Sequence, residues 1–127
     1  MKRNIIKTSA APAAIGTYSQ AVRAGNTLYV SGQIGMHPAT LEVVSKNFID
    51  QARQVFKNLK AIVEAAEADM SKVVKLTVYL INLSNFNELN SVMSEFMVEP
   101  YPARAAVEVS RLPKDVLIEI DAIVVFD

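Results

Sequence analysis

Two charged residues, Arg104 and Glu119, stand inside the apolar, strand-like runs that end this 127-residue chain. An arginine guanidinium is always charged, and its forked N–H groups match the two oxygens of a carboxylate. The neighbours Ala103, Ala105 and Ala106 are small and leave space beside it. A glutamate that is partly removed from water has a raised pKa and can exchange a proton with water near neutrality. The residue types therefore favour a pocket for a small organic acid, with Arg104 as anchor and Glu119 as acid/base group.

Both residues also have a purely structural interpretation. Arg104 could be a strand-end arginine that pairs with Glu108 or with a carboxylate in a turn. Glu119 and Asp121 share one face of a strand, because strand side chains alternate between two faces. A face that carries two carboxylates could simply meet solvent. The opposite face of this strand is apolar: Val116, Ile118, Ile120 and Ala122.

Four further residues are candidates for lining such a pocket. Asn90 lies at the edge of an apolar helix stripe, where a buried amide needs partners and can serve either the fold or a ligand. Tyr18 could pack or bind, and Ser31 with Gly32 could form part of a site or only end a strand. Gly32 and Gly35 are isolated glycines, and they do not form a phosphate-binding loop.

Composition excludes several kinds of chemistry. The chain has no cysteine and one histidine, His37, so paired Ser-His or Cys-His nucleophiles and histidine-rich metal sites are disfavoured, and no metal is expected. Thirteen basic residues balance thirteen acidic ones, so no basic field attracts a polyanion and we expect no nucleic-acid partner. Hydrophobic residues make up 51% of the chain, which makes a homo-oligomer plausible.

The chain length predicts one domain, residues 1–127. The first residues are basic without a long apolar stretch, so neither a signal peptide nor a membrane span is expected. With no cysteine, the chain suits a reducing compartment. We therefore expect a cytoplasmic protein with no membrane partner.

Hydrophobic periodicity predicts two helices and several strands. The first helix runs from about residue 47 to 67, and the second from 86 to about 97, with Asn85 and Glu88 as a capping box. A buried strand is predicted between them, over 73–81. The other predicted strands are short: 5–6, 18–23, 27–31, and two that follow Pro102 and are separated by a turn at 111–115.

The order strand, hairpin, helix, strand, helix, strand, strand indicates an α+β fold. Two amphipathic helices must each cover an apolar sheet face. The simplest architecture is a mixed β-sheet with both helices packed on one side.

Motifs spread over nearly the whole chain resemble the Rid family, also called YjgF, of small reactive-imine deaminases. Several such motifs in one order make the resemblance specific. The matching segments are 11–16, 18–22, 25–27, 30–34, 38–40, 51–54, 58–62, 102–104 and 111–116.

The resemblance implies a fold like that of the single-domain chorismate mutases, assembled as a trimer around a barrel-like centre with ligand clefts between subunits. It implies hydrolysis of 2-iminopropanoate or 2-iminobutanoate to a 2-keto acid and ammonia, without a cofactor. Arg104 then grips the substrate carboxylate, and Glu119 positions or activates the attacking water. The other residues that match cleft positions are Tyr18, Ser31, Gly32, Asn90 and, through its backbone, Ala106.

The chain departs from the usual family pattern at four places. Thr17 replaces a common proline, Leu41 replaces a frequent turn glycine, and Ala105-Ala106 replaces a common Ser-Cys pair. The loop before Pro102 is a few residues shorter than is usual in the family that the chain resembles. Two other functions stay open: a non-catalytic module that binds a small acid or a partner protein through the same clefts, and a ribonuclease, which the neutral charge and single histidine disfavour.

Overall fold

The described part of the chain, residues 2–127 of a computed structural model, forms six strands and two α-helices. The predicted order of these elements is confirmed. Three short turns of 3-10 helix lie between them, at Met70–Lys72, Leu83–Asn85 and Pro113–Asp115. The elements are β1 (Arg3–Ile6), β2 (Ala21–Ala24), β3 (Thr27–Ile34), α1 (Phe48–Ala65), β4 (Val73–Leu80), α2 (Phe86–Phe96), β5 (Ala103–Glu108) and β6 (Ile118–Val125).

All six strands form one mixed sheet in the order β1-β2-β3-β6-β4-β5. Neighbouring strands are antiparallel except β4 and β5, which are parallel. A parallel pair needs a crossover connection, and α2 supplies it. Helix α1 likewise connects β3 to β4, with β6 inserted between them. The mixed sheet is as predicted, and β5, which carries Arg104, is one of its edges.

Both helices cover the same face of the sheet, as the sequence predicted. Their apolar stripes pack with the buried strand side chains in one core, in which the rings of Phe56 and Phe96 stack at 5.4 Å between centroids. The buried strand residues point the same way because they are cross-strand partners. They include Leu28 with Val124, Val30 with Ala122, Val78 with Ile120, and Leu80 with Ile118.

The other side of the sheet, which we call the open face, is only partly shielded. Its side chains are half-buried or exposed. It combines aromatic, aliphatic and acidic groups: Tyr29, Thr77, Tyr79, Val107, Glu119, Asp121 and Ile123. The predicted alternation of β6, apolar on one side and mixed on the other, is therefore confirmed.

Helix α1 is slightly shorter than predicted. Asn47 is its N-cap, with a side chain that accepts the N–H of Asp50 at 3.1 Å, and the helix ends at Ala65. Its 18 residues make it the longest helix described. Among residues 2–127, no helix is both long enough and apolar enough to cross a bilayer.

Two buried amides on α1 tie the helix to the loops around the sheet. Asn58 donates to the carbonyls of Ile34 at 3.2 Å and Met36 at 3.1 Å, beyond the end of β3. Gln51 accepts the N–H of Leu117 at 2.8 Å, one residue before β6 begins. Buried polar groups require such partners, so these bonds set where β3 ends and β6 starts.

Asn85 is the N-cap residue of α2, as predicted (φ −82°, ψ 11°), but the capping box predicted around it does not form. The Asn85 side chain makes no capping bond, and its Nδ2 donates instead to Glu88 Oε1 at 2.6 Å. The chain already turns over residues 83–85, where Asn82 caps the 3-10 turn by accepting the N–H of Ser84 at 2.9 Å.

Tyr18 lies in a loop, not in the strand predicted over 18–23, because β2 begins only at Ala21. Just before β2, hydrogen bonds of the buried Gln20 side chain take the place of strand pairing. Its Oε1 accepts the N–H of Thr8 at 2.7 Å, and its Nε2 donates to the carbonyl of Pro12 at 2.8 Å. The Gln20 amide thus ties the segment before β2 to the residues around Thr8 and Pro12, without a ladder of backbone bonds.

Three turns contain non-glycine residues in the left-handed region of backbone space, and the first of them to note is Glu67 (φ 64°), just after α1. Leu41 has φ 60°, at the position where the resembling family frequently has glycine. Lys114 (φ 55°) and Asp115 (φ 54°) stand in the predicted turn before β6. Residues with a Cβ adopt these angles at a cost, so the surrounding contacts must impose them.

Candidate functional site

Arg104 lies on the helix-covered side of the sheet, near the start of β5. It stands opposite Leu76 of β4, which is fully buried beneath the helices. Cross-strand partners share a face, so Arg104 points toward α2. Because β5 is an edge strand, its side chain is also exposed to solvent.

Three side chains of α2 surround the guanidinium. Arg104 Nη1 donates to Asn90 Oδ1 at 2.7 Å and lies 3.6 Å from the sulfur of Met93. The guanidinium carbon lies 5.9 Å from the centroid of the Phe86 ring. An amide oxygen, a sulfur and an aromatic face orient the cation without neutralising it.

Arg104 has no carboxylate partner among the described residues. The expected alternative, a pair with Glu108, is wrong, because Glu108 Oε1 accepts the N–H of Leu83 at 3.1 Å. The ion pairs found within residues 2–127 lie elsewhere: Arg53 with Glu95, Lys72 with Asp127, and Arg111 with Asp115. The positive charge is thus available to an acid from outside the chain.

A cleft of about 320 Å³, which we call the arginine cleft, opens beside this guanidinium. Its size suits a small metabolite. It is lined by Asn90, Met93, Ser94, Tyr101, Pro102 and Arg104.

The backbone of Ala106 adds a hydrogen-bond donor near the arginine cleft. The N–H of Val109 donates to the carbonyl of Leu80 at 2.8 Å, so Val109 turns its backbone toward β4. Successive residues of a strand turn their N–H and C=O groups to alternate sides. Those of Ala106 therefore point to the outer edge of β5, where no strand of the described chain pairs with it.

Glu119 projects from the open face of the sheet. It stands between Ile34 of β3 and Tyr79 of β4, its two cross-strand partners. Its carboxylate lies directly against the Cα of Gly32, where an added Cβ would overlap Oε2. A side chain at position 32 would displace the carboxylate from this position.

The environment of Glu119 raises the pKa of its carboxyl group. Burial is the larger cause, and the negative charge of Asp121 adds to it. Both disfavour the ionised form. A carboxyl group with a raised pKa can both take and return a proton closer to neutrality, which is the behaviour required of a general acid/base.

A second cleft of about 320 Å³, the glutamate cleft, opens beside Glu119. The loop that bears Tyr18 forms one wall. The turn after Pro113 forms another. Its lining includes Ile15, Tyr18, Gly32, Ile34, Lys114 and Glu119.

Ser31 holds the Tyr18 loop against β3. Its hydroxyl donates to the carbonyl of Ser19, and its N–H donates to the carbonyl of Gln20 at 2.9 Å. The proton of the hydroxyl is thus used within the chain, while oxygen lone pairs remain to accept a bond. Ser31 therefore positions Tyr18 at the glutamate cleft.

The predicted residues fall into two groups that do not meet within one chain. Arg104 and Asn90 line the arginine cleft on the helix side of β5, and the backbone of Ala106 faces the outer edge of the same strand. Tyr18, Ser31, Gly32 and Glu119 belong to the glutamate cleft and the open face. The sheet itself separates the two clefts, which share no lining residue.

Sequence reasoning missed the role of Tyr79. Its hydroxyl donates to Asp121 Oδ2 at 3.1 Å, and its pKa is raised, first by burial and then by the bond to Asp121. The strand pattern indicated only that residues 73–81 were buried. The sequence did offer a weak signal for Tyr79, which is the alternation of polar Thr77 and Tyr79 with the aliphatic residues of β4.

Sequence reasoning also assigned Phe86 and Met93 wholly to the apolar stripe of α2. Phe86 is 36% exposed, and Met93 contributes its sulfur to the arginine cleft. The sequence offers no signal for this, because stripe residues at a helix edge have the same spacing as core residues.

No metal-binding group is apparent among residues 2–127. No three His, Cys, Asp or Glu side chains of these residues cluster as ligands would. The Nδ1 of His37 accepts the N–H of Ala39 at 3.1 Å and so stabilises its own turn.

Comparison with known proteins places this chain in a family. The family model Endoribonuclease L-PSP matches residues 8–126. A RutC family protein of Pyrococcus horikoshii is 53% identical over 121 residues, which are 95% of this chain and 96% of that protein. A 2-iminobutanoate/2-iminopropanoate deaminase of Dermatophagoides farinae is 50% identical over 125 residues, 98% of each chain.

A solved structure agrees closely with this one. The crystal structure of RidA from an Antarctic Psychrobacter superposes with a TM-score of 0.94 at 52% identity, covering 97% of this chain and 99% of that one. Sequence and fold thus agree over nearly the full length. The chain belongs to the Rid (YjgF) family.

Proposed function

We propose that the protein is a 2-iminobutanoate/2-iminopropanoate deaminase that hydrolyses reactive imines to 2-keto acids and ammonia. The observation that carries the proposal is the state of Arg104. Its charge is held by an amide oxygen, a sulfur and a ring, with no carboxylate partner in the described chain, beside an open cleft. A relative that is 50% identical bears the name of this activity.

A 2-imino acid offers the two groups that these clefts would recognise. Its carboxylate would form a forked pair with Arg104 and accept the N–H of Ala106. Its C=N carbon is the electrophile. Asn90 would keep the guanidinium in place through the 2.7 Å bond to Nη1.

Glu119 would supply the proton transfers. Water adds to the imine carbon. In the same step Glu119 takes a proton from the water and delivers a proton to the imine nitrogen. Glu119 then moves the hydroxyl proton of the resulting carbinolamine to its amino nitrogen, and the C–N bond breaks to release ammonia and leave the 2-keto acid. These imines already hydrolyse in water, so positioning plus one proton relay is sufficient, and no cofactor is required.

We further propose that each complete site forms between two copies of the chain in a cytoplasmic homotrimer. Arg104 and Glu119 lie on opposite sides of one sheet, so one small ligand cannot reach both within a chain. Closed symmetric assembly offers a solution, because the arginine cleft of one copy can face the glutamate cleft of the next. Tyr18, Ser31, Gly32 and Glu119 of one copy then complete the site of its neighbour.

The test couples the protein to a pyridoxal-phosphate-dependent threonine dehydratase and measures how fast the keto acid appears. We expect wild type to accelerate this step and Arg104→Ala to lose the acceleration. Removing a charge-assisted contact of about 1.5 to 3 kcal/mol weakens binding about ten- to a hundredfold. Arg3→Ala, on the opposite edge strand, is the matched loss of one arginine and should behave as wild type. Full activity in Arg104→Ala would contradict the assignment of the anchor.

The alternative, a non-catalytic module that binds small acids, gives a different result with Glu119→Gln. An enzyme should keep its affinity for a 2-keto acid in this variant and lose turnover. Absence of turnover in wild type, with keto-acid binding intact, would favour the module instead.

A further inference from the structure

A hydrogen-bonded pair, Tyr79 and Asp121, lies next to Glu119 on the open face and has no part in the reaction described so far. Tyr79 is the direct cross-strand partner of Glu119 on β4. Asp121 follows Glu119 by two residues on β6, so the two carboxylates point to the same side. The hydroxyl of Tyr79 donates to Asp121 Oδ2 at 3.1 Å.

We propose that Tyr79 and Asp121 are positioning residues that together set how readily Glu119 takes up a proton. The inference rests on the proposed function, in which Glu119 must both accept and return a proton. In this proposal Asp121 supplies a fixed negative charge, and Tyr79 keeps Asp121 in place through its hydrogen bond, which is what we mean by its role as holder.

The geometry keeps the two carboxylates on the same side of β6. Glu119 is packed against the Cα of Gly32. Asp121 is held from β4 by the hydroxyl of Tyr79, at 3.1 Å. Glu119 therefore faces a persistent like charge, which favours its protonated form.

The pKa shifts of Glu119 and Tyr79 agree with this arrangement. The charge of Asp121 raises the pKa of Glu119, after burial. Burial, the bond to Asp121 and the charges of Asp121 and Glu119 raise the pKa of Tyr79. Tyr79 thus keeps its proton and remains a donor through the range in which Glu119 titrates.

Within one chain, the other titratable groups around the pair are few and peripheral, and in the proposed trimer Arg104 of the neighbouring copy faces Glu119 as well. Tyr18 and Lys114 reach the glutamate cleft from the loop before β2 and the turn before β6. On the open face, Tyr29 of β3 and Lys75 of β4 lie in the row of Ile123, one row beyond Asp121. The residues that β5 contributes to this face, at 103, 105 and 107, are uncharged.

The first test is a titration of the protein without substrate. NMR follows the side-chain carboxyl carbon of Glu119 against pH, and the Glu119→Gln variant assigns the resonance. We expect the midpoint to move to lower pH in Asp121→Asn, which removes the neighbouring charge. Glu64→Gln removes an exposed charge on α1 and is the matched control. It should leave the Glu119 midpoint unchanged. An equal midpoint in wild type and Asp121→Asn would overturn the proposal.

Two further variants separate charge from packing. Asp121→Glu retains the negative charge and should keep the Glu119 midpoint nearer to wild type than Asp121→Asn does. Tyr79→Phe removes only the hydroxyl that holds Asp121, and the Glu119 midpoint should move to lower pH, as in Asp121→Asn but by less. An unchanged Glu119 midpoint in Tyr79→Phe would overturn the role of Tyr79 as holder.

The pH dependence of turnover connects the pair to catalysis. We expect the acidic limb of the rate profile to move to lower pH in Asp121→Asn, together with the Glu119 midpoint. A rate profile that stays in place while the midpoint moves would overturn the catalytic part of the inference. Absence of turnover in wild type would instead count against the proposed function, since the substrate-free titration does not depend on it.

Discussion

At the scale of single residues, the arginine cleft depends on how Arg104 is held. Asn90 fixes the guanidinium through an uncharged oxygen at 2.7 Å, so the cation is oriented and keeps its charge for a ligand. An amide can do this where a carboxylate cannot, because a carboxylate would itself occupy the donors of the fork. The residue type at position 90 is thus part of the binding chemistry.

We predict that Asn90→Asp impairs imine hydrolysis more than Asn90→Ala does. The aspartate would pair with Arg104 and compete with the substrate carboxylate, while alanine only loosens the guanidinium. Steady-state kinetics should show the loss mainly as a higher KM. Equal losses in the two variants would indicate that Asn90 does not control the charge available at Arg104.

The raised pKa of Glu119 also has a consequence for stability. In the folded protein this carboxyl binds its proton more tightly than in the unfolded chain, because burial and Asp121 disfavour the charge. The folded state is therefore penalised as pH rises from the ordinary glutamate pKa through the raised one. Below that window both states are protonated, and the penalty is absent.

We predict that Glu119→Gln is more thermally stable than wild type at neutral pH, while its activity is lost. The difference in Tm should shrink as pH falls below the ordinary glutamate pKa, since Glu119 is then uncharged in both states. Thermal melts at several pH values measure this. A stability difference that does not change with pH would refute the proposed linkage.

At the scale of elements, helix α1 helps to shape the glutamate cleft from the covered side of the sheet, by fixing the end of β3 and the start of β6. Its Gln51 side chain binds the N–H of Leu117 just before β6, and its backbone lies against Gly35. An added Cβ at Gly35 would come within 2.8 Å of Gln51 Cα. The helix thus approaches the end of β3 as closely as glycine allows.

We predict that Gly35→Ala mainly lowers stability, whereas Gly32→Ala mainly lowers activity. At Gly35 the new methyl would meet helix backbone, so we expect a loss of about 1 to 3 kcal/mol in the free energy of unfolding. At Gly32 it would meet the movable Glu119 carboxylate, so we expect lost activity with a smaller loss of stability. Denaturant melts and kinetic assays of both proteins measure this. Gly16→Ala, whose Cβ would lie 3.5 Å from the Tyr18 ring, is the control for stability. Equal stability of Gly35→Ala and this control would contradict the prediction.

At the scale of the whole molecule, one chain carries two clefts on two sides of one sheet. The covered side offers the arginine cleft at the edge strand β5. The open face offers Glu119. In the proposed function a second copy of the chain brings both groups to one small ligand, so assembly and activity are linked.

We predict that Arg104→Ala and Glu119→Gln complement each other when the two proteins are unfolded together, refolded and assayed. About a quarter of the sites in a random mixture would combine an intact Arg104 with an intact Glu119 from different copies. Each variant refolded alone is the control and should be inactive. If the mixture also stays inactive although light scattering shows mixed oligomers, the two residues do not share a site between copies.

Much of this architecture could be predicted from local patterns. The order of helices and strands follows from periods of about two and 3.6 residues, which any folded environment must respect. The chemical character of Arg104 and Glu119 follows from their residue types. The capping box at Asn85 shows where such local rules fail, because a preceding turn of 3-10 helix changed the backbone at that residue.

The sequence alone therefore determined which elements form, which residues on each strand share a side, and which groups could hold an acid or move a proton. Only the tertiary structure decided that Arg104 and Glu119 lie on opposite sides of the sheet and that Tyr79 holds Asp121. Alternation relates residues within one strand, whereas the relation between strands depends on their order and register. Those are set by the packing of α1 and α2 against the sheet, to which residues far apart in the chain contribute together.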